Sequence, residues 1–304
     1  MGRIGDDEMF ARVEEHVLQR IESADLDLPV VPSVAARCLE LLSHPDFSVN
    51  DLARLIENDP LMAARVVHLA NSAGRATLEP ARSVVQSVMR LGADELRSFM
   101  IEVSAFPIFE SHDRTIAVFG RALWTHSVAV ALLARGVVRK ISNAGGAGGS
   151  HLRSGDKQPE AAYLAGLLHD IGKPVMAAML LDAERRLFNV RTRSWLFPLT
   201  WLALIDKSHR RVGLALASSW RLPDLVVRSV RDCDNYDTND PANPANAVRF
   251  ANALAKLGGV YVGDFDPADV DSLVFVGRRL FSLSDDDIAA MIKGLRERVD
   301  ERLA

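Results

Sequence analysis

Hydrophobic residues recur at helical spacing along most of this chain, and residues that can cap helices precede several of the apolar runs. Ser33, Ser48, Asp59 and Ser83 each stand before such a run, and residues 9–23 form a further amphipathic pattern. No run shows the alternation of apolar and polar residues that is typical of a strand. We therefore predict an all-α fold, a multi-helix bundle.

Three of the apolar stripes contain a polar side chain that lies in phase with the stripe. These side chains are His126, His209 and Asn252. Residues in phase with an apolar stripe face the interior of a helical bundle. Because an unpaired polar group costs about 1–3 kcal/mol when it is buried, these side chains need partners there. The partners are each other, a metal ion or water.

His169 and Asp170 stand side by side in the segment Ala165-Gly-Leu-Leu-His-Asp-Ile-Gly-Lys173, which follows another apolar run. Gly172 and Pro174 come directly after them. Glycine permits a left-handed exit from a helix and proline cannot continue one, so the pattern predicts a helix C-terminus at this pair. An imidazole beside a carboxylate suits the binding of a divalent cation.

Each of these polar residues also has a structural interpretation. His126 by itself indicates a hydrogen-bonded core histidine more often than a metal ligand, and Asn252 by itself indicates a helix-packing amide. Three basic neighbours surround His209, a setting in which a partly solvated histidine is equally common. The metal interpretation gains weight because several such residues share the helical context of the His-Asp pair.

Composition places the chain among ordinary globular proteins. Its 304 residues suffice for one large domain or two lobes, and hydrophobic residues make up 48% of them. The formal net charge of −4 argues against nucleic acid as a partner. Cys38 and Cys233 form no close motif, which favours a reducing compartment. The polar N-terminus and the short apolar runs predict a cytoplasmic protein that makes no membrane contact.

Two sets of short motifs follow one another along the chain. The first set comprises Leu28-Pro29, Pro32, Leu52-Ala-Arg-Leu-Ile56, Asp59-Pro60, Ala70-Asn-Ser-Ala73 and Leu91-Gly92. The second comprises Leu123-Trp-Thr-His126, the segment 165–173, His209, Val212-Gly213 and Trp220-Arg-Leu-Pro223. In this order the motifs resemble the HDOD family, the HD-related output domains of bacterial signalling proteins.

The resemblance also implies a domain organisation. It covers residues 26–258, with an N-terminal helical lobe at 26–114 packed on a degenerate HD-type helical lobe at 115–258. Residues 1–25 are predicted to form a separate helix, and residues 259–304 to form two C-terminal helices. A glycine-rich segment at 143–158, inside the second lobe, predicts a flexible loop.

The family is similar to HD-type phosphohydrolases, and this similarity implies which residues form a site. It implies metal ligands at His126 and at His169 with Asp170. A late aspartate of that pattern is replaced here by Asn252. Related cyclic-dinucleotide phosphodiesterases add a histidine that matches His209.

Lys173 matches a lysine that contacts substrate phosphate in those phosphodiesterases, but two other features of their site are missing. Residues 231–234 stand where they carry an adjacent His pair, and their Gly-Tyr-Pro signature is absent. Asn252 offers an oxygen without charge, so too few ligands remain for a binuclear centre. We expect at most a single divalent ion of iron, manganese or zinc, and weak or no hydrolysis.

These observations predict a non-catalytic signal-transduction module with a degenerate HD-type site. It would act through a signalling protein partner or a nucleotide ligand. The alternative is a metal-dependent phosphodiesterase or phosphohydrolase that acts on a cyclic dinucleotide or another nucleotide.

Overall fold

The predicted all-α fold is confirmed by a computed structural model, whose described residues form helices and turns but no strand. The structure describes residues 6–23, 32–72, 79–144, 159–188, 198–231, 236–239, 244–263 and 265–303. Of the predicted loop at 143–158, the last fourteen residues lie outside these ranges, as does most of the Leu28–Pro32 motif.

The helices follow one another in this order: α1 (Asp6–Glu22), α2 (Ser33–Leu42), α3 (Val49–Glu57), α4 (Pro60–Ala70), α5 (Val84–Leu91), α6 (Ala93–Ala105), a short 3-10 helix (Phe106–Phe109), α7 (Arg114–Ala144), α8 (Pro159–Leu168), α9 (Gly172–Phe188), α10 (Pro198–Ser219), α11 (Asp224–Arg231), α12 (Pro244–Leu257), α13 (Pro267–Leu280), α14 (Asp285–Ile292) and α15 (Leu295–Leu303).

One compact unit, Val30–Pro107, contains α2 to α6. Its helices begin where the sequence places the caps. The side chains of Ser48, Asp59 and Ser83 accept hydrogen bonds from backbone N–H groups in the first turns of α3, α4 and α5. The apolar faces of these helices form one buried cluster, as their amphipathic patterns predict.

Two polar residues of this unit, Ser33 and Asn71, do not act as helix N-caps. The cap predicted at Ser33 is wrong, because Pro32 takes the N-cap position and Ser33 begins α2. Asn71, from one of the family motifs, donates to the carbonyl of Ala81 and accepts from its N–H, at 2.9 and 2.7 Å. The Asn71 side chain thereby ties the end of α4 to the residues before α5.

The second unit comprises Met1–Pro29 and Ile108–Leu303. In it α7 packs against α8, α12 and α15, α9 packs against α10 and α1, and α11 packs against α8. Asp113 caps α7 by accepting from the N–H groups of Thr115 and Ile116. The stripe on α7 is buried around His126, whose side chain is fully buried.

The contacts divide the chain at residue 107, whereas the predicted lobe boundary lies at 114. They also group α1, predicted as separate, with α7 to α15. The prediction of two C-terminal helices is wrong, because three are present: the chain breaks between α14 and α15 at Gly294, whose φ is +66°. Whether the units are domains that fold independently stays a prediction.

Two helical stretches, Arg114–Ser142 and Pro159–Leu187, are apolar and long enough to cross a membrane by length and composition alone. The apolar runs of the sequence predict no such stretch. Their most apolar windows are 61% and 94% buried in the structure. Because core helices of soluble proteins meet the same test, the two stretches are weak evidence for a membrane span.

Candidate functional site

His169 and Asp170 lie in a tight turn between α8 and α9. The N–H groups of Ile171 and Lys173 close this turn by donating to the carbonyls of Leu168 and Asp170. Helix α8 ends at Leu168, so the pair follows a helix C-terminus as the sequence indicates. Both side chains are buried.

The role predicted for Gly172 is wrong. Gly172 does not end a helix: it begins α9 without a positive φ, and Pro174 lies in the first turn, where proline is tolerated. A Cβ on Gly172 would lie 1.8 Å from the backbone oxygen of His209 and 2.8 Å from the backbone nitrogen of Gly213. Glycine therefore permits the close approach of α9 and α10, and this approach brings His209 to the turn.

Three buried imidazoles are each held by a hydrogen bond between Nδ1 and a backbone carbonyl oxygen. The acceptors are Val260 for His126 at 2.8 Å, Gly166 for His169 at 2.8 Å and Ile205 for His209 at 2.9 Å. Because a carbonyl oxygen only accepts, Nδ1 carries the proton in each ring. Each ring therefore turns its Nε2 to the other side, which is the orientation of a metal-binding histidine.

The Nε2 atoms of His169 and His209 face the carboxylate of Asp170. The Nε2 of His169 lies 3.3 Å from Oδ2, and the Nε2 of His209 lies 3.3 Å from Oδ1. Ligand atoms of His126, His169 and Asp170 lie within 4.8 Å of one another. The three Nε2 atoms are buried without a hydrogen-bond partner. A bare nitrogen lone pair and a carboxylate oxygen would repel at such distances, so either a proton on Nε2 or a metal cation must stand between them.

Lys173 supplies a positive charge to the same carboxylate. Its Nζ lies 2.8 Å from Oδ2 of Asp170 and 3.4 Å from Oδ1 of Asp206 on α10. The side chain of Lys173 is 8% exposed, whereas that of Asp206 is 61% exposed. Asp206 is a member of this cluster that no motif in the sequence predicted, although it precedes His209 by three residues and shares its helix face.

Charge and burial shift the pKa values of three groups in this site, His126, Asp170 and Lys173. Burial lowers the pKa of His126 to about 3, and the charge of His169 adds to this effect. Burial alone would raise the pKa of Asp170, but His169, Lys173 and the contact with His209 hold it well below its usual range. Burial opposes the charge of Lys173, yet Asp170, Tyr261 and Asp206 together raise its pKa.

The lowered pKa of His126 predicts a loss of stability in mild acid. Between pH 6.5 and about 3 the unfolded chain protonates His126 while the folded protein keeps it neutral, so stability falls as the pH falls. Between pH 7 and pH 5 this residue should account for about 2 kcal/mol of lost unfolding free energy. Urea unfolding of metal-stripped protein at both pH values measures the loss.

His126→Gln is the variant that isolates this effect, and His44→Gln, at an exposed position, is its control. The pH 7 to pH 5 loss should shrink by about 2 kcal/mol in His126→Gln and stay unchanged in His44→Gln. An equal loss in wild type and His126→Gln would show that His126 already titrates normally in the folded protein.

A further side of the site comes from residues after α12. The chain leaves α12 through Gly259, whose φ is +70°, with the N–H groups of Gly259 and Val260 donating back to Lys256 and Ala255. This turn directs the Val260 carbonyl to His126 and sets the Tyr261 ring edge-on to it, 5.2 Å between centroids. The paired glycines at 258–259 are the sequence signal for this turn, but they do not indicate that it reaches His126.

Asn252 lies on α12, which packs against α7 and α8. Its side-chain oxygen is buried without a hydrogen-bond partner, as expected of a residue in phase with the apolar stripe. Its role as a ligand stays a prediction. The histidines and Asp170 do fit a divalent cation chemically: His126, His169 and Asp170 would hold it, and His209 lies close enough to Asp170 to add a fourth ligand, its Nε2.

Solved structures of other proteins share this fold. A Shewanella amazonensis protein, named provisionally as a metal-dependent phosphohydrolase, matches with a TM-score of 0.74, 22% identity, and coverage of 96% of this chain and 99% of that one. A Geobacter sulfurreducens HDOD domain protein of unknown function matches with a TM-score of 0.60 and 25% identity, and the match covers 96% of this chain and 98% of that one. A Marinobacter aquaeolei protein, named provisionally as a signal transduction protein, matches with a TM-score of 0.57 and 20% identity, and the match covers 97% of this chain and 65% of that one.

A curated relative, an uncharacterized protein of Treponema pallidum, is 24% identical over 239 residues. The match spans 76% of this chain but only 42% of the relative's length. The model of the HDOD domain matches residues 28–236, more than half of the chain. The match includes the histidines on α7 and α10 and the turn after α8. This chain therefore belongs to the HDOD domain family.

Proposed function

We propose that this chain is a regulatory module of bacterial signal transduction, whose HD-type site binds rather than hydrolyses. It would act in the cytoplasm through a signalling protein partner or a nucleotide. Two solved structures of this fold carry names that refer to a phosphohydrolase and to signal transduction, and both activities are open to the fold. The choice between them depends on the site residues.

The proposal rests on the ion pair between Asp170 and Lys173. The His126–His169–Asp170 group contains a single carboxylate, and the buried ammonium of Lys173 already lies 2.8 Å from it. A carboxylate neutralised in this way holds a divalent ion weakly. Asn252, in place of an aspartate, adds no negative charge. The cluster is therefore suited to a stable polar core or to one weakly held ion.

A bound ion of iron, manganese or zinc would supply Lewis-acid activation of a water or a phosphate. A binuclear centre needs more ligands than two or three imidazoles and one carboxylate provide. Residues 231–234 stand in place of the adjacent His pair of the phosphodiesterases, and of these only Arg231 lies within the described residues. Within the described part of the chain, the donor set supports a mononuclear site.

A metal-dependent phosphohydrolase is the second candidate, and one observation favours it. The Nε2 atoms of three histidines are buried without hydrogen-bond partners, and their Nδ1 atoms are fixed by backbone carbonyls. Such orientation is typical of metal ligands. Lys173, next to the ligands, would then be placed to contact a phosphate.

Metal analysis combined with an activity assay separates the two candidates. Chelator-stripped protein, reloaded with Mn²⁺ and desalted, should retain at most one equivalent, and His169→Ala should retain none. His44→Ala, at an exposed position, is the matched control. The proposal also expects no turnover of cyclic dinucleotides. Two equivalents of metal, or turnover that His169→Ala abolishes, would establish the hydrolase instead.

A further inference from the structure

Lys173 lies between two carboxylates that differ sharply in their surroundings. Its Nζ is 2.8 Å from Oδ2 of Asp170, which is 7% exposed, and 3.4 Å from Oδ1 of Asp206, which is 61% exposed. The ammonium therefore needs only a small displacement to exchange its closer partner for the other. A flexible four-carbon stem makes such a displacement inexpensive for lysine.

A divalent ion and the ammonium compete for the same carboxylate. An ion held by His126 and His169 takes its negative charge from Asp170, because the histidines are neutral ligands. A lysine ammonium 2.8 Å from Oδ2 of that carboxylate would stand within a few ångströms of the ion, where two positive charges repel strongly in a buried setting.

Asp206 is suitably placed to receive the displaced ammonium. It lies on α10 three residues before His209, so both side chains point to the same side of the helix. The close approach of α9 and α10 at Gly172 keeps this face next to Lys173. The described contacts thus provide Lys173 with one buried and one exposed acceptor.

We propose that Lys173 is an exchangeable cation: it neutralises Asp170 in the metal-free site and moves to Asp206 when a divalent ion binds Asp170. This inference rests on the metal site proposed above. It makes the ion's affinity depend on Asp206, a residue that does not touch the ion. It also couples metal binding to a shift of positive charge from the buried cluster to the exposed edge of α10.

A double-mutant cycle on the full chain tests the exchange, with Mn²⁺ titrations of chelator-stripped protein followed by calorimetry. Lys173→Gln should tighten Mn²⁺ binding roughly 5–150-fold, the usual range of coupling between sites. Asp206→Asn should weaken it about two- to fivefold, as expected for one partly exposed ion pair. In the Lys173→Gln background, Asp206→Asn should have no effect, since no ammonium remains to be received.

The double variant distinguishes exchange from simple long-range electrostatics. If Asp206 acted only by its negative charge, its loss would weaken Mn²⁺ binding equally with and without Lys173. Lys207→Gln and Asp271→Asn change charge at exposed positions and should leave the affinity unchanged. If circular dichroism shows that Lys173→Gln does not fold, the Mn²⁺ affinities of Asp206→Asn and Asp271→Asn are compared instead. Equal affinities of these two variants would overturn the exchange.

The results also separate this inference from the site on which it rests. If wild type and Lys173→Gln bind Mn²⁺ equally, and His169→Ala abolishes binding, the metal site stands and the exchange is wrong. If neither wild type nor Lys173→Gln binds Mn²⁺, both the metal site and the exchange are overturned.

Discussion

Replacement of Asp170 by Asn should lower the unfolding free energy of the metal-free protein by about 3–5 kcal/mol, because it leaves a buried ammonium without its closest counter-charge. Asparagine has nearly the same shape as aspartate, so the loss reflects charge rather than packing. The Lys173 side chain, only 8% exposed, keeps only the longer contact to Asp206. Urea unfolding at pH 7 measures the change.

Two further variants show whether the buried charge causes the loss. Asp170→Asn combined with Lys173→Met removes both charges and should regain most of the stability. Asp182→Asn on α9 breaks more exposed ion pairs, with Arg186 of the same helix and with Arg20 of α1, and should cost at most about 1 kcal/mol. An Asp170→Asn loss no greater than that of Asp182→Asn would contradict a buried ion pair at this turn.

The second large effect is expected for Gly172→Ala. The added methyl group would lie 1.8 Å from the backbone oxygen of His209, which no side-chain rotation can relieve. We expect a loss of at least about 1–3 kcal/mol in unfolding free energy, the usual cost of overpacking. Because relief requires α10 to move away from α9, His209 should also move, and Mn²⁺ binding should weaken.

Gly136→Ala is the matched control, since Gly136 lies within α7 and a Cβ there would meet no atom within 4 Å. This substitution should stabilise the protein by about 0.5–1 kcal/mol, because alanine favours the helix. Thermal and urea unfolding compare the two variants. If Gly172→Ala were as stable as wild type, α9 and α10 could not be packed as closely at Gly172 as the structure shows.

Several parts of the site could be predicted because they follow from local rules. A residue in phase with an apolar helical stripe is buried whichever helix covers it, and His126 and His209 are both buried. The motifs around His169 and Asp170 predicted which polar groups would gather, through the family resemblance. The caps at Ser48, Asp59 and Ser83 needed only their own next three residues.

Other parts were missed because the same residue types allow different local structures. Glycine followed by proline is compatible with the end of one helix or the start of the next, and only the approach of α10 explains why Gly172 is glycine. The Val260 carbonyl that orients His126 is 134 residues away from it in the chain. No periodicity relates two residues separated by such a distance.

The sequence by itself determined the helical class, the starts of α3, α4 and α5, the family and the inward direction of the two histidines on α7 and α10. These features depend on residues within a few helical turns of one another. The tertiary structure alone decided that Asp170 is shared by two imidazoles and an ammonium, and that Asp206 stands within reach of Lys173. The reason is physical: the charge state of a buried group depends on which atoms surround it in space, and helix packing sets those neighbours.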